Sequence, residues 1–148
     1  MRAFVAIAVA FFALSCGAPS TPCTTCPNIA GVYHVTSPAV AAETSTCSTV
    51  YYDSWEGDLT VTQTGSDVTL STSWFTAQGT LYVGDSLGCT ATKTMTSWGV
   101  EADMRVSGAF TGSEGSRALT LHLYFSAVTP KGDHCSLGAS MNGTQVSK

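Results

Sequence analysis

Two alternating segments within residues 101–125 constrain the fold of this chain more than any other feature. Apolar side chains occupy even positions in the first segment and odd positions in the second: Ala102, Met104, Val106 and Phe110, then Leu119, Leu121, Leu123 and Phe125. Alternation with a period of two is typical of a strand with one buried face. Residues 111–116 between them are rich in Gly and Ser and favour a turn. The stretch therefore predicts an antiparallel hairpin with one apolar face.

The register of this predicted hairpin follows from placing Phe110 opposite Arg117. Val106 then faces Leu121, and the apolar residues of both strands meet on one side of the sheet. A slip of one residue would move one apolar row to the opposite face. The hydrophobic pattern therefore specifies the facing of every residue in both strands.

Short apolar alternations recur along the rest of the chain, and none of it has the period of a helix. The predicted strands outside the hairpin are residues 29–36, 55–64, 67–75, 79–83, 89–96 and 135–146. A two-residue turn, Gly65-Ser66, places Leu70 opposite Val61 and Val68 opposite Gln63. Every link except residues 38–53 is short, which indicates a meander, and an even number of strands lets the last pair with the first. We predict an all-β, antiparallel up-and-down meander of about eight strands that closes into a barrel.

The first predicted strand contains Gly31-Val32-Tyr33, followed by a long loop. This arrangement resembles the Gly-X-Trp motif and long first loop of lipocalins, with Tyr33 where that family has Trp. The resemblance implies a lipocalin-like or avidin-like architecture rather than membership of the lipocalins.

The first residues of the chain have the layout of a signal peptide, in which Arg2 precedes the apolar residues 3–14. The sequence Ala13-Leu14-Ser15-Cys16 resembles the lipobox of bacterial lipoproteins, with Ala13 where that family usually has Leu. The resemblance implies cleavage before Cys16 and a lipid attached to its sulfur, and Gly17 after it implies the outer membrane of a Gram-negative cell. The alternative is an ordinary secretory peptide in which Cys16 is incidental.

These features divide the chain into a signal peptide at 1–15, a lipidated Cys with a Pro/Ser/Thr tether at 16–28, and a barrel domain at 29–148. Three prolines within residues 17–27 favour extended chain, which at about 3.3 Å per residue could reach roughly 35 Å from the membrane. Without Arg2 the chain has five basic and ten acidic residues. This excess of negative charge argues against nucleic acid as a partner. The predicted contact with the membrane is therefore through the acyl chains. The sequence does not indicate a protein partner.

Five further cysteines predict disulfides in an exported protein, with one thiol left over. If the end where the first strand begins is called the bottom, strand parity places Cys26 and Cys89 there and places Cys47 and Cys135 at the top. We therefore predict the pairs Cys26–Cys89 and Cys47–Cys135, leaving Cys23 free. A ninth strand at residues 47–52 would instead predict Cys47–Cys89.

No set of residues predicts catalysis, a metal site or a cofactor. Residues 84–87 spell the nucleophile motif of the GDSL hydrolases, but no helix is predicted after Ser86, so a tight turn between strands is the interpretation we adopt. His34, His122 and His134 are scattered along the chain and lack the spacing of metal ligands. The sequence therefore predicts a protein that is not an enzyme.

Aromatic residues concentrate near the links that the meander places at the top end. The candidates for contact with a small apolar or aromatic ligand are Tyr52, Trp55, Trp74, Phe75 and Trp98. Aromatic side chains suit such ligands at a barrel mouth. Two hypotheses remain open: a lipid-anchored binding barrel with a ligand at this mouth, and an envelope protein of structural or interaction type whose barrel is filled by its own rings.

Overall fold

Eight antiparallel strands form the whole of the regular structure in the computed structural model, which describes residues 21–39, 53–84, 86–95, 100–128 and 132–148. The side chains of residues 90–95 and 100–102 are outside this description. The strands are β1 (Gly31–Ser37), β2 (Trp55–Thr64), β3 (Asp67–Ser71), β4 (Thr76–Leu81), β5 (Ser86–Met95), β6 (Val100–Thr111), β7 (Ala118–Val128) and β8 (His134–Ser147). Each strand pairs with its neighbours in sequence, and β8 pairs with β1, so the sheet closes into a barrel. The predicted fold class is confirmed.

The alternation of apolar and polar residues determines which side chains face the interior. Along β7, burial alternates without a break from Ala118 to Phe125, with Leu121 fully buried and His122 exposed. Burying a leucine side chain stabilises the fold by about 1.5–3 kcal/mol relative to leaving it in water. The same two-residue period along β3 places Val68 and Leu70 inside.

Large side chains fill the interior of the barrel. The largest that are fully buried are Tyr33, Phe110, Phe125, Ile29, Leu59, Leu70, Leu81, Met104, Leu119, Leu121, Leu123 and Leu137. The rings of Tyr33 and Phe110 meet edge to face, with their centroids 5.6 Å apart. Eight strands enclose a space that side chains of this size can fill.

The β6–β7 register differs from the predicted one by two residues. Phe110 pairs with Leu119 rather than with Arg117, and Leu121 pairs with Gly108 rather than with Val106. A shift of two preserves the facing of every side chain because the strand period is also two. The loop keeps its predicted length of six residues but occupies residues 112–117 instead of 111–116, because Thr111 joins the ladder and Arg117 leaves it and turns inward.

The β2–β3 hairpin forms as predicted. Val61 pairs with Leu70 and Gln63 with Val68. Gly65 has φ +60°, which a two-residue turn between twisted strands requires at its first position. Within the described ranges there is no helix, so none is long and apolar enough to cross a bilayer.

Glycines inside the barrel allow two neighbouring strands to approach closely. A Cβ at Gly108 would lie 2.8 Å from the side chain of Leu121 and would also meet the carbonyl oxygen of Thr120. A Cβ at Gly79 would lie 2.5 Å from the Cα of Cys89. Both positions therefore require glycine for reasons of space rather than of backbone angle.

Candidate functional sites at the two barrel ends

An aromatic cluster lies at the top end of the barrel, where β3 turns into β4. Thr72 builds this turn, because its Oγ1 accepts hydrogen bonds from the backbone N–H groups of Trp74 (3.2 Å) and Phe75 (3.1 Å). The backbone N–H of Thr72 also donates to the carbonyl of Phe75 at 2.9 Å. A threonine side chain that replaces backbone partners in this way fixes a short turn. The two rings are therefore held in place by the turn itself.

Trp74 is the centre of the cluster. Its ring centroid lies 4.5 Å from that of Phe75, 5.9 Å from that of Trp55 and 6.3 Å from that of Phe125. Three such contacts bring rings from β2, β7 and the β3–β4 turn together, at separations typical of aromatic pairs. Trp55 and Trp74 are partly buried against the core, and Phe75 is buried.

The structure brings three of the five predicted ligand-contacting residues together at the predicted end. Trp55, Trp74 and Phe75 are these three; Tyr52 and Trp98 lie outside the described residues. Phe125 joins them as a fully buried member of β7. Contact of the cluster with a ligand stays a prediction.

The N-terminal segment crosses the bottom end of the barrel. On one side it is tied to the end of β4: Cys23 N–H donates to the carbonyl of Leu81, and Val83 N–H donates to the carbonyl of Thr21, both at 3.1 Å. Pro22 forms a bridge to Tyr82 between them. The part of the predicted 16–28 tether that begins at Thr21 is therefore hydrogen-bonded to the barrel.

Two inward-facing glutamines attach the same segment to β2 and β8. Gln63 accepts a hydrogen bond from Ile29 N–H at 2.8 Å and donates to the carbonyl of Pro27 at 3.0 Å. Gln145 donates to the carbonyl of Ala30 at 3.1 Å. The segment thus spans from the β4–β5 side of the bottom to the β1–β8 side and closes this end.

Arg117 lies beneath the barrel core, with only 6% of its surface exposed. Its Nε donates to the carbonyl of Asn28 at 3.0 Å and its Nη1 to the carbonyl of Gly112 at 3.2 Å. Burial raises the pKa of the neighbouring Tyr33 to about 12, and the positive charge of Arg117 lowers it by a smaller amount. The Tyr33 hydroxyl donates a hydrogen bond to the carbonyl of Ile29 at 2.8 Å. Backbone carbonyls thus solvate a buried cation, and the cation holds the segment against the β6–β7 loop.

Gln63, Arg117 and Gln145 were not among the site residues predicted from the sequence. Each is a polar residue at a position whose parity faces inward: Gln63 and Gln145 lie near the bottom ends of β2 and β8, and Arg117 directly precedes β7. The sequence does contain a signal for them: near one end of the barrel, polar residues stand where the alternation calls for apolar, inward-facing ones. This pattern indicates a polar layer at that end. The pattern does not indicate which backbone segment the layer binds.

The predicted pairing of Cys26 with Cys89 is wrong. Cys26 forms a disulfide with Cys23, with Cα atoms 5.2 Å apart, and Cys89 is a buried free thiol. Parity placed Cys26 and Cys89 at the same end but did not give their depth: Cys89 is buried on the inner face of β5, whereas Cys26 is only partly buried in the segment that crosses the bottom. The free state of Cys89 also excludes the alternative Cys47–Cys89 bond.

The other cysteines divide into an inert thiol and a second disulfide. Burial raises the pKa of Cys89 to about 12, so this thiol stays protonated and unreactive at neutral pH. Cys135 is disulfide-bonded. Its predicted partner Cys47 lies outside the described residues, as does Cys16. The pair Cys47–Cys135 and the lipidation of Cys16 stay predictions.

Two open grooves lie at the bottom end, on either side of the N-terminal segment. One, of about 220 Å³, is lined by Cys26, Asn28, Gln63 and Gly65. The other, of about 190 Å³, is lined by residues of the segment around Cys23 and by the turn at Tyr82–Gly84. Both are smaller than the roughly 300 Å³ at which small-molecule sites begin.

The residues that resemble catalytic or metal-binding motifs have ordinary structural positions. Ser86 opens β5 directly after a turn at Gly84, as predicted for residues 84–87. His34 is on the outer wall, where hydrogen bonds to Asp58 (3.2 Å) and Glu56 (3.0 Å) raise its pKa. Among the described residues, no group of three or more His, Cys, Asp or Glu side chains could hold a metal ion.

No family model matches the chain, and neither a curated protein nor a solved structure gives a significant match to it.

Proposed function

We propose that this chain is a lipid-anchored protein of the cell envelope whose barrel is filled by its own side chains and which acts through its surface. The observation that supports this function best is the packing of the interior. Tyr33 and Phe110 fill the lower part and Phe125 the upper part, each with 2% or less of its surface exposed. A barrel packed in this way provides a rigid support rather than a container.

Both ends of the barrel support the same interpretation. The N-terminal segment covers the bottom, where Ile29 is fully buried beneath the core. At the top, Phe75 is 6% exposed and packs against Trp74. The packing of these rings supports the second hypothesis, a barrel filled by its own side chains.

The proposed address rests on the sequence and on the oxidised cysteines. Residues 13–16 resemble a lipobox, as described above, and Cys23–Cys26 is a disulfide. Structural disulfides persist in exported proteins and are rare in the cytosol. The disulfide supports export, and the lipobox supports attachment to the membrane.

We expect Cys16→Ser to abolish metabolic labelling with palmitate and to move the protein from the membrane fraction to the soluble fraction. The substitution removes the sulfur to which the lipid would be attached, and a single acyl-bearing site provides the whole attachment. Cys89→Ala is the matched control, because it removes a buried thiol and should leave labelling and fractionation unchanged. Retention of unlabelled Cys16→Ser protein in the membrane fraction would contradict the proposal.

A small apolar ligand at the top end is the second candidate, favoured by the contacts of Trp74 with Trp55 and Phe75. Titration with N-phenylnaphthylamine, followed by tryptophan fluorescence, separates the two candidates. A filled barrel gives no saturable quenching. A binding mouth gives saturable quenching that Trp74→Ala weakens by at least about fivefold, which corresponds to roughly 1 kcal/mol. Tyr124→Ala, which removes an exposed ring from the outer wall, is the control and should change neither result.

A further inference from the structure

We infer that the bottom end of the barrel lies directly on the membrane that holds the lipid anchor, with the exposed side chain of Val83 in contact with the lipid headgroups. This inference rests on the proposed lipidation of Cys16. It adds an orientation and a membrane-contacting surface, neither of which follows from lipidation alone. The surface consists of the β4–β5 turn at Val83, the N-terminal segment and the last residues of β8.

The length of chain between the anchor and the barrel limits the distance between them. Thr21 is the fifth residue after Cys16, and a fully extended chain covers at most about 3.6 Å per residue step, or roughly 18 Å in all. Thr21 is bonded to Val83 at the bottom of the barrel. The sulfur of a lipidated Cys16 lies at the membrane surface, so the bottom end cannot stand far from it.

The contacts of the N-terminal segment prevent this short connection from lengthening. Detaching the segment would break its hydrogen bonds to Leu81, to Gln63 and to Arg117. It would also expose Ile29, which is fully buried. The segment therefore transmits the position of the anchor to the barrel rather than acting as a flexible spacer.

Among the described residues, the bottom end has a smaller excess of negative charge than the upper part. Five described carboxylates lie in the upper part of the barrel: Asp53, Glu56, Asp58, Asp103 and Asp133. At the bottom, Glu114 pairs with Lys148 at 3.0 Å, and Asp67 and Arg117 are the other described charges; Asp85 lies outside the described residues. The described charges of the bottom end therefore cancel, while those of the upper part are mainly negative.

Exposed valines give this end an apolar contact with lipid. Val83 and Val146 are each 58% exposed, the first in the β4–β5 turn and the second near the end of β8. These two elements lie on opposite sides of the closed barrel. The backbone N–H of Val83 also donates to the carbonyl of Thr21 at 3.1 Å, which places this exposed valine beside the point where the chain from the anchor joins the barrel.

Quenching of a fluorophore at two matched valines tests the orientation. Val83→Cys and Val128→Cys are each labelled with a nitrobenzoxadiazole group in the lipidated protein, where Cys89 is buried and unreactive. Val128 is 52% exposed and lies at the top end of β7, whose 11 residues span roughly 28 Å along the barrel axis at a tilt of about 40°. In vesicles of phosphatidylcholine and phosphatidylglycerol with a headgroup-nitroxide lipid, we expect quenching at least threefold greater at position 83 than at position 128.

A spacer variant and the fractionation of the protein complete the test. Insertion of 20 Gly and Ser residues after Gly17 should reduce the quenching at position 83 to the level at position 128. Equal quenching at the two positions without the insertion would overturn the inferred orientation. If the protein is still bound to the vesicles in that experiment, the proposed lipid anchor is not affected. Protein that does not remain with the vesicles would overturn both the anchor and the orientation that depends on it.

Discussion

Leu121→Asp is expected to prevent the chain from folding. Leu121 is fully buried in the middle of β7, between Gly108 of β6 and Met141 of β8. The substitution removes the packing of a large side chain and places a carboxyl group among apolar neighbours without a partner. These two losses together should cost at least about 5 kcal/mol, comparable to the 5–15 kcal/mol by which a typical domain is stable.

His122→Asp provides the control, because it introduces the same carboxylate one residue further along the strand. His122 is exposed on the outer wall, where its Nδ1 lies 3.3 Å from the hydroxyl of Ser140. Loss of this contact should change the free energy of unfolding by no more than about 0.5 kcal/mol. Circular dichroism during urea unfolding measures both variants, and comparable destabilisation by the two would show that the facing of β7 is assigned incorrectly.

The facing of each strand was predictable from sequence because it depends only on a period of two. The pairing partner was less predictable, because registers that differ by two residues give the same facing. Phe110 could be placed opposite Arg117 or Leu119 with equal hydrophobic complementarity, and the structure has Leu119. What decides between them is the position of Arg117 beneath the core, which no periodic pattern contains. In the β2–β3 hairpin the two-residue turn at Gly65 left no such choice.

The two barrel ends differ in how far the sequence predicted them. The aromatic end could be predicted because strand order alone places Trp55 and Trp74 near the same links. The bottom end could not, because its closure depends on hydrogen bonds between side chains of the barrel and the backbone of residues 21–30. Three prolines in residues 17–27 indicate extended chain but do not distinguish chain in solvent from chain laid across a surface. The predicted Cys26–Cys89 pair failed for the same reason, since strand parity placed both residues at the bottom but could not give the path of the N-terminal segment across that end.

The closure of the bottom end depends on Arg117 more than on any other side chain, and Arg117→Ala should destabilise the protein by about 3 kcal/mol. The substitution leaves the carbonyls of Asn28 and Gly112 without their charged donor, and each such hydrogen bond contributes about 1.5–3 kcal/mol. The aliphatic stem of the side chain also leaves a gap beneath Tyr33. Urea unfolding measures the change.

Arg105→Ala is the matched control because it removes the same kind of side chain from the exposed outer face of β6. We expect it to change the free energy of unfolding by no more than about 0.5 kcal/mol.

Hydrogen exchange locates the effect of Arg117→Ala. The backbone amides of residues 23–30 should lose protection before those of the barrel strands do, because opening of this segment no longer breaks the contacts of a buried cation. A detached segment would lengthen the connection between a lipidated Cys16 and the barrel from four intervening residues to about fourteen, and the barrel would no longer be confined to the membrane surface. A loss of less than about 1 kcal/mol with unchanged exchange in residues 23–30 would show that the glutamines, and not Arg117, hold the segment in place.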